Sequence, residues 1–258
     1  MLKIIISSIL FITSALANIN QTCISISGFQ NSTVNYNPNN IREENGFLNM
    51  YLTQDTGGSG IIYGQPIHYG EINIVMKTSE GNNVVTAFYL RSQNGDEIDF
   101  EMVRNKTDLN RVIQTTFYYR GIPLYEVNAR YYISNNILSQ NFNKYTIVWM
   151  PDYYEWKLND IVIMRTTRND TNTYPDSISS IYLTIWEAKP SRWAGPGINW
   201  NQQPFMMSIK TISINCNNEN LSYFRNIDTR EIYNNYSGVI YPYIFMNYTL
   251  MFVVIINI

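Results

Sequence analysis

The stretch that most constrains this chain is residues 97–102, where acidic and apolar side chains alternate strictly. Alternation with a period of two is the pattern of a half-buried β-strand. Glu97, Asp99 and Glu101 are therefore predicted to share one face, while the residues between them point toward a core. Three carboxylates in line on one strand repel each other, so a folded protein must either compensate for them or use them.

One use of such a row is glycosidic-bond chemistry, in which two carboxylic residues flank the scissile oxygen. The alternative is a solvated edge strand, because edge strands are often charged. No Lys or Arg interrupts the stretch to neutralise it, and composition alone would place three acids at this spacing only about 0.1 times in such a chain. We therefore favour the catalytic interpretation of Glu97, Asp99 and Glu101.

The run from Glu97 to Glu101, Glu-Ile-Asp-Phe-Glu, resembles the E-[IL]-D-x-E signature of glycoside hydrolase family 16. The segment 84–97 is similar to a strand, turn and strand of the fungal Crh-type cell-wall transglycosylases, which link chitin to β-glucan. The likeness extends over residues 59–216, because further segments match in the same order. These segments are 69–70, 117–121, 145–149, 156–160 and 193–200.

The resemblance implies an all-β jelly roll of the concanavalin type, with a concave substrate cleft. It also implies that Glu97 is the nucleophile, Glu101 the general acid/base and Asp99 an electrostatic helper in a retaining mechanism. Retaining catalysis needs carboxyl groups about 5 to 5.5 Å apart. Residues i and i+4 on a straight strand have Cα atoms about 13 Å apart, so this strand is predicted to curve.

The remainder of the chain has the pattern of short strands separated by Gly, Asn, Asp and Pro clusters. Strands are predicted at 71–76, 84–90, 97–103, 112–119, 145–150, 155–158, 161–165, 178–186 and 206–214. No long segment keeps a convincing 3.6-residue period. The residues themselves therefore predict an all-β sandwich.

Aromatic side chains are the expected floor of a cleft that binds several sugar rings. The candidates for sugar binding are, in order, Trp193, Trp200 and Trp186, followed by Tyr118 and Arg120. Trp149 and Trp156 lie in apolar, strand-like contexts, and we predict that both belong to the core.

Three positions depart from the Crh-type pattern. Residues 64–68 lack the usual Arg, Trp186 is followed by Glu-Ala-Lys instead of Pro-Ala-Gly, and Asn199 stands where Asp is common. We expect these departures to alter the acceptor side of the cleft. The catalytic triplet is intact.

Composition and motifs exclude several other function classes. The net charge is −2 and no basic cluster is present, so nucleic-acid binding has no electrostatic basis. His68 is the only histidine and has no nucleophile motif around it, which argues against Ser-His-Asp and Cys-His mechanisms. Zinc-ligand spacings, phosphate loops and dinucleotide fingerprints are not found either. No metal and no cofactor is therefore expected.

The two ends of the chain carry targeting patterns. Residues 1–17 have the positive charge, short apolar run and Ala-Leu-Ala end of a secretory signal peptide. A catalytic domain is then predicted at 18–216, in a secreted protein of the cell wall or cell surface. The apolar tail within 217–258 fits a GPI-attachment signal, a membrane-anchoring helix or an extra strand.

Cys23 and Cys216 are the only cysteines, and they bracket the predicted domain. In an oxidising compartment they are expected to form one disulfide that joins the first and last strands. Two free buried thiols are the alternative.

Together these observations predict a secreted, monomeric, retaining glycosidase or transglycosylase that cleaves and re-joins chitin and β-glucan through a glycosyl-enzyme intermediate. Its partners would be a polysaccharide donor and a polysaccharide acceptor. An endo-β-glucanase that transfers the sugar to water is the nearest alternative. A non-catalytic, lectin-like glycan-binding sandwich is the second.

Overall fold

The computed structural model describes residues 25–104, 111–123, 129–168 and 173–216. The predicted signal peptide, Cys23 and the tail from 217 onward lie outside the described residues. Within the described ranges, sixteen β-strands are joined by turns and short 3-10 segments. The strands are β1 (Ile26–Ser27), β2 (Ser32–Tyr36), β3 (Ile41–Glu44), β4 (Phe47–Leu52), β5 (Ser59–Ile67), β6 (Gly70–Lys77), β7 (Val84–Ser92), β8 (Glu97–Val103), β9 (Val112–Tyr119), β10 (Ile122–Pro123), β11 (Arg130–Ile133), β12 (Asn143–Trp149), β13 (Tyr153–Leu158), β14 (Ile161–Thr167), β15 (Ser179–Glu187) and β16 (Phe205–Asn215).

The described strands form two antiparallel sheets of eight strands each. One sheet has the order β14-β13-β12-β6-β16-β4-β3, with β1 also on β16, and the other has the order β10-β9-β8-β7-β15-β5-β2, with β11 also on β9. The prediction of an all-β sandwich is confirmed. No helical segment within the described ranges is long and apolar enough to cross a membrane.

All nine predicted strands are present, and their ends agree with the prediction to within two residues. The strands before residue 68 were not predicted. β2 and β3 are largely exposed and lack apolar alternation, and β5 contains Gly64 at φ 68° together with Pro66. Gly and Pro inside a run argue against a strand. The sequence pattern therefore does not indicate β2, β3 or β5.

The core lies between the two sheets, and β8 contributes to it as its alternation predicted. Ile98, Phe100 and Met102 are all buried. The Phe100 ring meets the Tyr145 ring of β12 edge-on, with a centroid distance of 5.5 Å. Trp156 and Trp149 each have 1% exposure, which confirms their prediction as core residues.

β8 pairs with β7 on one side and β9 on the other, so it is an interior strand. The alternative of a charged edge strand is therefore wrong. The turn before β8 depends on Gly95, whose φ is 90° and where an added Cβ would lie 2.5 Å from the Gly121 nitrogen. Buried Asp96 follows, and its carboxylate accepts hydrogen bonds from the backbone nitrogens of Arg120, Asp176 and Ser177. These contacts fix the position of Glu97 at the beginning of β8.

Candidate active site

The three predicted carboxylates face one cleft on the sheet that contains β8. The cleft has a volume of about 280 Å³. Its lining residues come from β2, β7, β8, β9 and β15, and they are Tyr36, Ala87, Tyr89, Glu97, Asp99, Glu101, Tyr118, Thr184 and Trp186. The structure therefore brings all three predicted catalytic carboxylates together with two of the five predicted sugar-binding residues.

Strand register decides what surrounds each carboxylate, because directly opposed residues in a sheet share a face. Glu97 lies opposite Arg91 on β7 and Tyr118 on β9. Glu101 lies opposite Ala87 on β7 and Gln114 on β9. One end of the triplet thus has a cation beside it, and the other end has only uncharged neighbours in the adjacent strands.

Glu97 forms an ion pair with Arg91, in which Nη1 lies 3.0 Å from Oε2. Burial raises the pKa of Glu97 above its ordinary value, while the Arg91 charge and a hydrogen bond from Asp99 act in the opposite direction. The guanidinium and the hydrogen bond both favour the ionised form. Of the three acids, Glu97 is therefore the one best suited to carry a negative charge.

Asp99 is 4% exposed and sits between two other acids. Burial, followed by the charges of Glu97 and Glu101, raises the pKa of Asp99 well above its ordinary value. Its hydrogen bond with Glu97 raises the pKa of Asp99 and lowers that of Glu97, so Asp99 is the protonated donor. Its backbone is also fixed, because Trp156 Nε1 donates to the Asp99 carbonyl at 2.8 Å.

Glu101 has the environment of an acid that stays protonated near neutral pH. Burial and the charge of Glu97 raise the pKa of Glu101 from 4.5 to about 7. No Lys or Arg of the described residues forms an ion pair with it. Environments that push the pKa values of two carboxyls apart are a hallmark of acid/base catalysis.

Aromatic rings form the walls of the cleft beyond the triplet. Tyr89 stacks on Tyr182 with a centroid distance of 5.0 Å. Tyr36 lies across Gly60, where an added Cβ would be 2.3 Å from the tyrosine ring. The glycine therefore gives the Tyr36 ring the space to lie against the sheet and reach the cleft.

Of the predicted sugar-binding residues, Trp186 and Tyr118 line the cleft. Trp193 is half-buried and is not among the lining residues, and its ring centroid lies 6.2 Å from that of Trp186. Trp193 also packs against a buried apolar cluster that includes Val85 and Val103. Trp193 is thus a direct neighbour of a cleft-lining residue without being part of the lining itself. A sugar contact by Trp193 stays a prediction.

The other two predicted sugar-binding residues lie away from the lining. Trp200 packs edge-on against Phe205 at 6.0 Å, at the start of β16 in the opposite sheet. Arg120 occupies a turn with φ 51°, and its guanidinium lies 5.0 Å from the centroid of the Tyr119 ring. Sugar contacts by these two residues stay predictions.

The predicted disulfide is described on one side alone. Cys216, just after β16, is disulfide-bonded, whereas Cys23 lies outside the described residues. Its pairing with Cys216 stays a prediction. Within the described ranges, no group of three or more His, Cys, Asp or Glu side chains is arranged to hold a metal ion.

Sequence reasoning missed several residues of the site. Arg91, Tyr89, Ala87 and Tyr36 were not selected, although the first three lie in the segment that resembles the Crh-type enzymes. The signal that could have found Arg91 is the hairpin between β7 and β8. The turn over 93–96 joins β7 to β8 and places Arg91 directly opposite Glu97.

A comparison with protein families agrees with this geometry. The model of glycosyl hydrolases family 16 matches residues 29–203, which include all three carboxylates. The chain belongs to glycosyl hydrolase family 16. The prediction made from the motif that contains Glu97, Asp99 and Glu101 is thereby confirmed for the family.

Fungal Crh-like proteins are among the relatives of this family 16 chain. Crh-like protein 2 of Aspergillus fumigatus is 33% identical over 175 residues, covering 62% of this chain and 39% of that protein. Congo red hypersensitive protein 2 of Saccharomyces cerevisiae is 28% identical over 189 residues, covering 66% of this chain and 39% of that protein. The chain thus spans about two fifths of the length of these two relatives.

Solved structures show the same fold. The structure titled "Crh5 transglycosylase in complex with NAG" has a TM-score of 0.68 at 21% identity, covering 76% of this chain and 85% of that chain. The Bacillus licheniformis beta-glucanase has a TM-score of 0.65 at 17% identity, covering 76% of this chain and 100% of that chain. At these identities the likeness establishes the family 16 jelly roll, as predicted.

Proposed function

We propose that this chain is a retaining transglycosylase that cleaves and re-joins β-linked cell-wall polysaccharide, with chitin as donor and β-glucan as acceptor. The observation that carries the proposal is the contrast between Glu97, ion-paired with Arg91, and Glu101, whose pKa burial raises to about 7. One carboxylate is thereby suited to attack and the other to donate a proton. Membership of family 16 and the likeness to the Crh5 transglycosylase that was solved in complex with NAG support the reaction and the substrate class.

In the first step, the Glu97 carboxylate attacks the anomeric carbon of the donor, and the bond from that carbon to the glycosidic oxygen breaks. Glu101 gives its proton to the departing oxygen, so the released chain leaves as a neutral alcohol. The product is a glycosyl ester on Glu97. Asp99, which donates a hydrogen bond to the Glu97 carboxylate, orients it for attack.

In the second step, the ionised Glu101 takes a proton from an acceptor hydroxyl. The acceptor oxygen bonds to the anomeric carbon, and the ester bond to Glu97 breaks. Formation of the ester removes the negative charge of Glu97, which is one of the causes of the raised pKa of Glu101. Glu101 is therefore a stronger acid in the intermediate, and its ionised form is available as the base.

The test is a transfer assay with the full chain, a chitin-type polysaccharide donor and a fluorescent β-glucan oligosaccharide acceptor. Glu97→Gln is compared with wild type, and Glu155→Gln is the matched control because it makes the same change in the opposite sheet. We expect a fluorescent product larger than the acceptor from wild type and from Glu155→Gln, and none from Glu97→Gln.

Three outcomes would contradict the proposal. Shortened donor without fluorescent product would identify a hydrolase. Tight binding of chitin-type and β-glucan oligosaccharides without any turnover, tested also with β-1,3- and β-1,4-glucan donors, would identify a glycan-binding protein. Unchanged turnover in Glu97→Gln would remove Glu97 as the nucleophile.

The resemblance to Crh-type cell-wall enzymes, together with the Crh-like relatives, also supports a place of action at the cell wall or cell surface. We infer that the chain reaches it by secretion, through the predicted signal peptide at 1–17. The tail would then decide how the enzyme is retained there.

A further inference from the structure

Charge is distributed unevenly around the cleft. The lining contains three carboxyl groups but no Lys or Arg. Arg91 reaches this region from β7, and its side chain is 55% exposed, whereas that of Glu97 is 15% exposed. The titratable and charged groups that face Glu97 are Arg91 and Tyr89 from β7, Asp99 and Glu101 from β8, Tyr118 from β9 and Tyr36 from β2.

The effect of Arg91 is selective among the acids. Its charge lowers the pKa of Glu97 and the pKa of Asp99, yet it is not among the causes that set the pKa of Glu101. Register explains this selectivity, because Arg91 lies directly opposite Glu97, whereas Ala87 is the β7 residue opposite Glu101. Coulombic interactions weaken with distance and with exposure to water.

We propose that Arg91 is a positioning residue that keeps Glu97 ionised and oriented for attack, and thereby sets the lower pH limit of the reaction without affecting the upper limit. The proposal rests on the proposed role of Glu97 as nucleophile. When Glu97 is esterified, its charge disappears and Arg91 loses its partner. Re-forming the ion pair then favours the departure of Glu97 in the second step.

The test compares Arg91→Met and Arg91→Lys with wild type by measuring kcat/KM of the full chain against pH. In Arg91→Met the acidic limb is expected to move upward by about 0.5 pH units, because the pair is partly exposed and screened. At one pH unit below the wild-type limb, this shift lowers the rate about threefold. The alkaline limb should stay in place. In Arg91→Lys the acidic limb should return most of the way to its wild-type position.

Arg42→Met provides the matched control. Arg42 lies on β3 in the opposite sheet and forms an exposed pair with Glu44 at 3.9 Å, so its loss should move neither limb. Salt gives an independent check, because raising the ionic strength should move the acidic limb of wild type but not that of Arg91→Met.

A second readout does not depend on activity. Carbon-13 NMR of labelled glutamate carboxyls, with the Glu97 signal assigned by its loss in Glu97→Gln, should show a higher titration midpoint for Glu97 in Arg91→Met. That shift in a protein without turnover would support the action of Arg91 on Glu97 while the proposed function fails. If wild type has turnover but the titration midpoint of Glu97 does not move in Arg91→Met, the role of Arg91 is overturned and the proposed function is not. Equal movement of both limbs, or no recovery in Arg91→Lys, would also overturn it.

Discussion

Glu101 and Glu155 lie on interior strands of the two sheets, and the fold deals with their charges in opposite ways. Glu155 is 8% exposed and is held by two cations, Arg165 at 2.9 Å and Lys157 at 3.5 Å. Glu101 has no ion pair with any described residue, and burial raises its pKa to about 7. One glutamate is neutralised by neighbouring cations, and the other retains a proton.

The difference originates in strand register rather than in residue type. Arg165 lies directly opposite Glu155 on β14. The corresponding neighbours of Glu101 are Ala87 and Gln114, which carry no charge. A buried carboxyl with a cation beside it favours the ionised form, whereas one without a cation favours the protonated form. The comparison therefore separates a structural glutamate from one that can act as an acid.

The largest expected effect is on catalysis by Glu101→Gln. Loss of the general acid/base should lower kcat/KM by about 10²- to 10⁴-fold and remove the alkaline limb of the pH profile, which we expect near pH 7. In wild type kcat/KM should fall above about pH 7, because Glu101 loses the proton that it must donate. The measurement is kcat/KM against pH with the chitin-type donor.

Glu155→Gln is the control for this experiment, because it makes the same substitution at a buried residue outside the cleft. Its profile should match that of wild type. If Glu155→Gln lowered kcat/KM as much as Glu101→Gln, the assignment of Glu101 as the acid would be wrong.

The second effect is on stability. The folded-state pKa of Glu101 lies above its value of 4.5 in the unfolded chain. Below pH 4 both states are protonated, and above that pH the unfolded chain ionises first, so the folded protein loses stability until about pH 7. Glu101→Gln should therefore be more stable than wild type at pH 8, by about 3 kcal/mol, and equally stable at pH 4.

Urea unfolding at the two pH values measures this prediction. Equal stabilities of Glu101→Gln and wild type at pH 8 would mean that the ionised Glu101 is well solvated in the folded protein. An equal gain at both pH values would mean that the glutamine improves packing, and would leave the raised pKa without support.

The positions of the acids on β8 could be predicted from the sequence, but the neighbours of each acid could not. The alternation over 97–102 is local, so it was sufficient to predict β8, its core face and the common face of Glu97, Asp99 and Glu101. What surrounds each acid depends on pairing with other strands. Arg91 lies opposite Glu97 because of the turn over 93–96, and Arg165 lies opposite Glu155 because of the hairpin between β13 and β14. Hydrophobic periodicity carries no information on such partners.

The aromatic residues show the same limit. Trp149 and Trp156 were predicted correctly as core because their own neighbours are apolar. Trp193 and Trp200 follow β15 in chain segments without regular strand structure, and their positions depend on which distant surface those segments meet. Trp193 meets Trp186 and the apolar cluster, whereas Trp200 meets Phe205. Tryptophan rings pack well in both settings, so composition could not separate them.

A cation placed opposite Glu101 should give it the kind of neighbour that Glu155 has. Gln114 is 4% exposed and lies opposite Glu101 on β9. Gln114→Lys would place a cation beside Glu101 and should lower its pKa, which moves the alkaline limb downward by about 1 to 2 pH units. Gln114→Met has a side chain of similar length without the charge, and it should leave the limb in place. Equal shifts in both variants would show that packing, not charge, sets the pKa of Glu101.

The smallest effect is expected from Glu155→Gln on stability. The substitution removes the carboxylate that lies between Arg165 and Lys157 and leaves two like charges next to each other. Because the side chains of Arg165 and Lys157 are 51% and 24% exposed, water can solvate both cations after the change. The loss should therefore be about 1 kcal/mol, as for exposed ion pairs, rather than the cost of a fully buried pair. Urea unfolding at pH 8 should show this loss where Glu101→Gln shows a gain. A gain in Glu155→Gln would mean that desolvation of the carboxylate outweighs both ion pairs, and the two glutamates would then differ only in whether a cation is present to keep the charge in place.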